Sequence, residues 1–137
     1  MSIVFNRIAR KNPQTKAVAF YPTPKLIGRK TEKDLAERIC RNTTLNEREA
    51  RMALAEVRQG ILDFLLDGYS VEFSDWASFR PTFNAKGSEL EKDCTPALIQ
   101  RVNVRCTLRQ EFVQEVQRKA RFVYAGDLHT TDQAPAE

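Results

Sequence analysis

The residues whose types and spacing could do chemistry are, first, the lysines and arginines at the start of the chain. Residues 1–30 contain seven basic side chains and no acidic one, whereas the remaining residues contain 15 basic and 18 acidic side chains. The seven are Arg7, Arg10, Lys11, Lys16, Lys25, Arg29 and Lys30. Because a solvated surface usually mixes charges of both signs, this positive field at one end predicts a polyanionic partner.

A second set of cations falls on strands that the sequence predicts near the middle of the chain. Arg101 and Arg105 are four residues apart on one predicted strand, which places them on one face, and Arg80 lies on the neighbouring strand. With two flanking cations they could form a saddle that meets phosphates. The alternative is that these arginines are only the solvated face of an amphipathic sheet. The full set is Arg80, Lys86, Arg101, Arg105 and Arg109.

No pattern in the chain indicates catalysis, a cofactor or a metal. The single histidine, His129, lies in a polar tail, and no nucleophile elbow, zinc-protease motif or phosphate-binding glycine loop occurs. The acidic residues 89–93 could hold a cation, but we interpret them as a charged loop. The three cysteines are odd in number and far apart, so we expect buried reduced thiols. We therefore expect no active site and no small-molecule substrate.

The composition fits one domain with extensions. The chain has 137 residues, of which 42% are hydrophobic, and this is enough for a core. No apolar run reaches the roughly 18 residues of a membrane span, and residues 1–11 do not resemble a secretory signal. We expect a cytoplasmic location with no membrane partner.

The first 30 residues predict a β-hairpin followed by a linker. Two β-prone pieces, residues 3–5 and 17–21, flank a basic turn at residues 10–15. Pro22 and Pro24 are expected to stop the second strand.

Two helices should follow. Thr31 with Asp34 resembles a capping box that begins a helix over residues 32–42, and Asn46 with Glu49 begins a longer one. Gly68 is placed to end it. Its apolar positions, expected in a core or a subunit interface, are Leu54, Val57, Ile61, Phe64 and Leu65.

The hydrophobic period then changes from 3.6 to 2. We expect strands at residues 69–73, 78–83 and 102–107, a projecting arm at residues 84–96, and a helix at residues 109–119. A short strand at residues 121–125 and a disordered tail complete the chain. Core packing is favoured over base stacking for four aromatics of this region: Phe73, Trp76, Phe79 and Phe83.

The succession from Thr31 to Lys119 resembles the HU/IHF family of bacterial histone-like DNA-binding proteins. The sharpest resemblance is the stretch over residues 66–79, Leu-Asp-Gly-Tyr-Ser-Val-Glu-Phe-Ser-Asp-Trp-Ala-Ser-Phe; Lys33-Asp34-Leu35-Ala36 and the helix start at residues 45–50 are also similar. The resemblance implies an α+β fold: a helical hairpin, a three-stranded antiparallel β-sheet with a projecting arm, and a C-terminal helix, in an intertwined homodimer.

The sequence departs from that family at two places where DNA contacts would be made. The arm lacks the basic Arg-Asn-Pro tip, and Thr107-Leu108-Arg109-Gln110 replaces the usual Lys-Pro-Gly-Lys stretch. The basic N-terminal extension looks like that of the longer HU-like variant of Bacteroides-type bacteria. Within it, residues 11–15 echo the family's arm tip, although a simple turn is the favoured interpretation.

The resemblance implies a nucleoid-associated architectural protein that binds and condenses double-stranded DNA through phosphates with little sequence preference. We expect residues 1–30 to be a basic extension, residues 31–120 a DNA-binding and dimerisation domain, and residues 121–137 a strand and acidic tail. Two alternatives remain open: a protein-interaction or structural module with weakened DNA affinity, and a single-strand or RNA binder.

Overall fold

The computed structural model describes residues 1–127, which form two compact units. One unit comprises residues 1–29 together with the residues from Val116 onward, and the other comprises residues 30–115. The mixed α+β architecture contains three helices and two three-stranded sheets within the described residues.

The first unit is built on an N-terminal hairpin. Strand β1 (Ile3–Lys11) pairs antiparallel with β2 (Val18–Pro24), and β6 (Phe122–Tyr124) pairs parallel with the other edge of β1. The hairpin and the short strand after the last helix, both predicted from the sequence, are therefore present, and they share one sheet of order β2-β1-β6.

The expectation that Pro22 and Pro24 stop the second strand was wrong. Both residues lie within β2, opposite Arg7 and Phe5 of β1. Since β2 is an edge strand and the two prolines are two residues apart, their nitrogens both face away from β1, where no ladder hydrogen bond is needed. The next inward-facing donor, the Lys25 N–H, bonds to the Val4 carbonyl at 2.8 Å.

The second unit begins with two packed helices whose ends follow the local signals. Helix α1 (Glu32–Asn42) and helix α2 (Glu47–Leu66) contact each other, and α2 also contacts the sheet that follows. The Asn46 Oδ1 accepts the Glu49 N–H, and the Glu49 carboxylate accepts the Asn46 N–H, both at 2.9 Å. This reciprocal pair confirms the second predicted capping box.

The C-terminus of α2 forms a Schellman motif. The Gly68 N–H bonds to Leu65 O and the Tyr69 N–H to Phe64 O, with Gly68 at φ +88°. The rings of Phe64 and Tyr69 meet edge to face at 6.5 Å. Because the Tyr69 N–H caps the helix, the next strand begins two residues later than predicted.

The second sheet has the order β3-β4-β5 and is antiparallel throughout. Its strands are β3 (Val71–Phe73), β4 (Ala77–Ala85) and β5 (Ile99–Leu108), and helix α3 (Gln110–Lys119) follows. Strands β4 and β5 pair further than the sequence predicted, with a bulge at Asn84/Ala85. The connection between them is therefore residues 86–98, two residues later than the expected arm at residues 84–96, and it contains two single 3₁₀ turns, Glu91–Asp93 and Pro96–Leu98.

The single chain has very little core. Among the described residues only Val4, Ala36, Ala50, Ala77 and Ala125 are buried, and no large side chain is fully buried. On α2, Leu54, Ile61 and Leu65 are half-buried, whereas Val57 and Phe64 remain exposed. The expected burial of the cysteines was also wrong for two of three, since Cys94 and Cys106 are exposed in the chain and Cys40 is half-buried.

Two further observations bear on the sequence expectations. No helix among residues 1–127 combines the length and apolar character that crossing a membrane would require. The expected disorder of the acidic tail concerns residues that lie almost entirely outside the described part of the chain.

Candidate nucleic-acid interface

Alternation along β4 and β5 divides the second sheet into a polar and an apolar face. Arg80 lies directly opposite Arg105, and Asn84 lies opposite Arg101. All four positions share a face, because side chains at alternate positions of paired strands project to the same side. The rest of this face is also polar: Glu72, Ser78, Thr82, Asn103 and Thr107.

The facing arginines of the polar face are not neutralised by an ion pair. Arg80, Arg101 and Arg105 form no ion pair with any described residue, and Arg80 and Arg105 are both exposed. Like charges directly opposite each other destabilise a sheet. A polyanion lying across this face would relieve that repulsion.

Arg109, the predicted phosphate contact before the last helix, is engaged within the chain. Its guanidinium Nη2 lies 2.9 Å from a carboxylate oxygen of Glu72, and its backbone N–H bonds to Trp76 O. Its Nε is buried without a hydrogen-bond partner. The ion pair thus joins the start of α3 to β3, and it offsets the positive charge of Arg109.

The hairpin of the first unit presents its cations on both faces. Arg7 and Lys11 project to one side of β1 and Arg10 to the other. Lys16 lies in the turn at φ 55°, where Asn12 O accepts its N–H and Asn12 Oδ1 accepts the Gln14 N–H. All four basic side chains are exposed.

Two of the hairpin arginines stack on tyrosines. The Arg7 guanidinium carbon lies 3.7 Å from the centroid of the Tyr124 ring, and that of Arg10 lies 5.9 Å from the Tyr21 ring. At the shorter distance, that of Arg7, a guanidinium stacked on the ring keeps the N–H donors at its edge available for an anion.

The remaining predicted cations lie in connections and are exposed. Lys25, Arg29 and Lys30 occupy the segment between β2 and α1. Lys86 follows β4, where its backbone N–H bonds to Leu98 O at 3.0 Å. Among the described residues of the second unit, no hydrogen bond or ion pair joins Lys30 or Lys86 to the sheet arginines.

Sequence reasoning missed three cations that the fold adds to the first unit. Arg118 and Lys119 end α3, and the backbone carbonyl of Arg121 accepts a hydrogen bond from the Ile3 N–H at 2.7 Å. Residues 1–29 and 116–127 together contain nine lysines and arginines and a single acid, Asp127. The dense run from Arg118 to Arg121 was visible in the sequence, but only the pairing of β6 with β1 assigns it to the basic unit.

Comparison with known families agrees with this architecture. Residues 1–123 match the model of the HU-HIG family, described as an HU domain fused to a wHTH, Ig or glycine-rich motif. The chain belongs to the HU-HIG family. The match includes the N-terminal hairpin, so this HU-like protein shares that hairpin with its family.

A solved structure has a similar fold. It is a crystal structure of a protein from Bacteroides vulgatus that is provisionally assigned as a bacterial DNA-binding protein. The TM-score is 0.62 at 11% sequence identity, and the match covers 91% of this chain but 49% of the other. This chain therefore spans about half the length of that neighbour. Curated proteins give no match.

The aromatic residues of this HU-HIG chain largely pack among themselves. Phe73 lies 4.8 Å from Trp76 and 5.9 Å from Phe79 between ring centroids, and Trp76 lies 6.5 Å from Phe112. Phe83, in contrast, is 59% exposed, on the apolar face of the sheet. Trp76 is itself 41% exposed, so the predicted core packing holds in the single chain for Phe73 and Phe79 but not for Trp76 and Phe83.

The acidic residues of the connection between β4 and β5 do not form a metal site. Within the described part of the chain no three acidic, histidine or cysteine side chains come close enough to share an ion. Glu91 and Asp93 bound a 3₁₀ turn, and Glu89 precedes it. They place negative charge where the related HU/IHF arm is expected to be basic.

Proposed function

We propose that this HU-HIG protein is a non-enzymatic, architectural DNA-binding protein that binds duplex DNA through its phosphates with little sequence preference. The observation that carries the proposal is the polar face of the second sheet, where Arg80 lies opposite Arg105 and Arg101 lies on the same face four residues along β5. Arginines on a broad sheet face suit phosphate contacts, which position a duplex without reading bases.

The basic first unit supports the same proposal. It combines nine cations with one described acid, and this imbalance favours a polyanion over a mixed-charge protein partner. Eight of these cations, together with Lys30 at the start of the second unit, add to the sheet arginines as proposed contacts: Arg7, Arg10, Lys11, Lys16, Lys25, Arg29, Lys30, Arg118 and Arg121. Arg109 is a weaker candidate because Glu72 offsets its charge, and Lys86 is weaker because it begins the connection that carries Glu89, Glu91 and Asp93.

The proposed functional unit is a homodimer. Val102, Val104 and Phe83 are each more than half exposed on the apolar face of the second sheet. Burial of only five small or medium side chains among residues 1–127 does not balance the conformational entropy lost when these residues fold. A second copy, intertwined through this face and α2, would supply the missing core, and residues 31–120 would then serve both dimerisation and DNA binding.

The bend imposed on DNA should be modest. The connection after β4 carries Glu89, Glu91 and Asp93 and lacks a basic proline-containing tip. An acidic arm is repelled by the groove that a wedging arm must enter. The proposed role is therefore coating and condensing DNA in the cytoplasmic nucleoid, with no small-molecule substrate, cofactor or membrane.

The experiment that tests this proposal compares two triple variants of equal charge change. Arg80, Arg101 and Arg105 are replaced by Gln in the first, and three exposed arginines of α2, Arg48, Arg51 and Arg58, in the second. Fluorescence anisotropy with labelled duplexes of unrelated sequence should show equal affinity of the unmodified chain for all of them and a large loss only in the sheet variant. An equal loss of DNA affinity in both variants would contradict a DNA-binding site on the polar face of the second sheet.

A second candidate is a protein-interaction module built on the same scaffold. The acidic connection and the Arg109–Glu72 ion pair favour it, because both remove positive charge from where DNA would lie. It predicts no duplex binding even at low salt, together with an intact dimer.

A further inference from the structure

The Tyr124 ring lies against the Arg7 guanidinium at the centre of the N-terminal sheet. The 3.7 Å between the Arg7 Cζ and the ring centroid is well inside the roughly 6 Å range of cation–π attraction. The two residues come from β1 and β6, at opposite ends of the sequence. The contact therefore exists only because β6 adds to the sheet.

The ring is held in place from two further directions. Phe5, which pairs with Tyr124 across the strands, places its own ring 5.7 Å away at a tilt of 44°. A Cβ atom on Gly126 would overlap the Cε1 of Tyr124. Glycine at position 126 is what allows the backbone after β6 to pass this close to the ring.

Arg7 itself is exposed and has no acidic partner among the described residues. Its cross-strand neighbour is Pro22, which offers no N–H and no polar side chain. A guanidinium stacked on an aromatic ring keeps its planar set of N–H donors free at the edge. The surroundings thus fix the orientation of Arg7 and leave its hydrogen bonds unused.

We propose that Tyr124 is a positioning residue that holds the Arg7 guanidinium ready for a bidentate contact with one DNA phosphate. The inference rests on the proposed DNA-binding function and goes beyond it by assigning a role to an uncharged residue of the C-terminal strand. Holding a flexible arginine in its binding orientation reduces the side-chain entropy lost when DNA binds.

A second arginine–tyrosine pair in the same sheet serves as a comparison for Arg7 and Tyr124. Arg10 and Tyr21 make a similar contact on the other face of the hairpin, but at 5.9 Å, near the limit of the interaction. Replacement of the Tyr21 ring should therefore change DNA affinity less than replacement of the Tyr124 ring.

The experiment is a double-mutant cycle on the full chain, with a labelled random-sequence duplex titrated over a salt series. The variants are Arg7→Ala, Tyr124→Leu and their combination, with Tyr124→Phe and Tyr21→Leu as controls. Tyr124→Leu should weaken binding about two- to fivefold, the loss of an exposed cation–π contact. Tyr124→Phe should retain the affinity, and Tyr124→Leu should have no further effect in the Arg7→Ala background.

Two results would overturn the inference while leaving the proposed function intact. One is equal effects of Tyr124→Leu with and without Arg7, and the other is an Arg7→Ala variant that binds DNA as the unmodified chain does. If Tyr124→Leu does not fold, as judged by circular dichroism, Gly126→Ala displaces the ring instead and must show the same coupling to Arg7. Failure of the unmodified chain to bind DNA would count against the proposed function itself.

Discussion

Two arginines of the second sheet face each other in a way that lowers the stability of the fold. Arg80 and Arg105 face each other across β4 and β5, and no described acid pairs with either. Two cations in directly opposite positions destabilise a sheet by about 0.2–1 kcal/mol. Such an arrangement is typical of a surface selected for an anionic ligand rather than for stability.

Replacement of one member of this pair should separate stability from binding. We expect Arg105→Gln to raise the free energy of unfolding by up to about 0.5 kcal/mol, because the facing repulsion is removed. The same variant should weaken DNA binding and reduce the slope of log K against log salt by about 0.9, one phosphate contact. Thermal unfolding and anisotropy titrations check both.

The matched control for that prediction is Arg58→Gln on the exposed surface of α2. It makes the same change of charge away from the polar face. A lower stability of Arg105→Gln, or an equal loss of affinity in the control, would contradict the assignment.

Glu72 is the one acid on the polar face of the second sheet, and its removal should strengthen DNA binding. In the structure it offsets the charge of Arg109 at 2.9 Å. Glu72→Gln removes a negative charge near the phosphates and releases Arg109, so we expect affinity to rise about threefold at low salt. Stability should change by less than about 1 kcal/mol, because the pair is partly exposed. An unchanged affinity at low salt would remove Arg109 from the proposed contacts.

Among single residues, the sequence predicted which face of a strand a side chain occupies. It did not predict contacts between residues of two different elements. The two-residue period placed Arg101 and Arg105 on one face, and the strand register agrees. The stacking of Arg7 on Tyr124 and the ion pair of Arg109 with Glu72 unite distant segments. No local period or propensity encodes such contacts.

At the scale of elements, the N-terminus of α1 is capped by a carboxylate, so the stability of this helix should depend on pH. The Thr31 backbone N–H, then its hydroxyl, donate hydrogen bonds to the Asp34 carboxylate and lower the pKa of Asp34 below its usual value, with Lys30 and Lys33 contributing. A lowered folded-state pKa means that the cap stabilises α1 above the unfolded pKa of 3.8 and is lost as pH falls through the folded value.

Asp34→Asn should therefore be less stable than the unmodified chain near neutral pH and nearly equal to it in strong acid. Thermal unfolding at several pH values from 7 downward measures the difference. A gap between the two proteins that stays constant across this range would show that the Asp34 charge does not stabilise the cap.

The end of α2 is the second test at this scale. Gly68 has φ +88° in the Schellman motif, and any other L-residue is strained there. Gly68→Ala should lower the free energy of unfolding by about 1 kcal/mol, measured by urea denaturation. The comparison variant is Gly87→Ala, where no atom lies within 4 Å of the added methyl and φ is not left-handed. Similar losses at both glycines would contradict the assigned cap.

Element boundaries were predicted well at helix ends and less well at strand ends. A capping box such as Asn46 with Glu49 involves residues only three positions apart, so the sequence alone was enough to locate it. Strand ends depend on the partner strand: β2 continues through Pro22 and Pro24 because it lies at an edge, and β4 continues to Ala85 because β5 pairs that far. Edge position and register are tertiary properties.

At the scale of the whole molecule, the described part of the chain buries less than a stable monomer needs, and the dimer proposal follows from this. Val104 is 57% exposed on the apolar face of the second sheet. Val104→Asp would bury a charge in the proposed interface, which costs several kcal/mol. We expect sedimentation analysis to show a dimer for the unmodified chain and its loss in the variant. Arg105→Gln, one residue away on the opposite face, should remain dimeric, and persistence of the Val104→Asp dimer would contradict the proposal.

The charge distribution of the whole molecule leads to the most direct test of DNA binding. The measurement is the affinity of the full chain for a random-sequence duplex between 50 and 200 mM salt. If six to ten phosphates are contacted, the affinity should be submicromolar at low salt and fall by about 10³ to 10⁵ over this range. No binding at the lowest salt, or an affinity that salt does not change, would contradict phosphate binding by this protein.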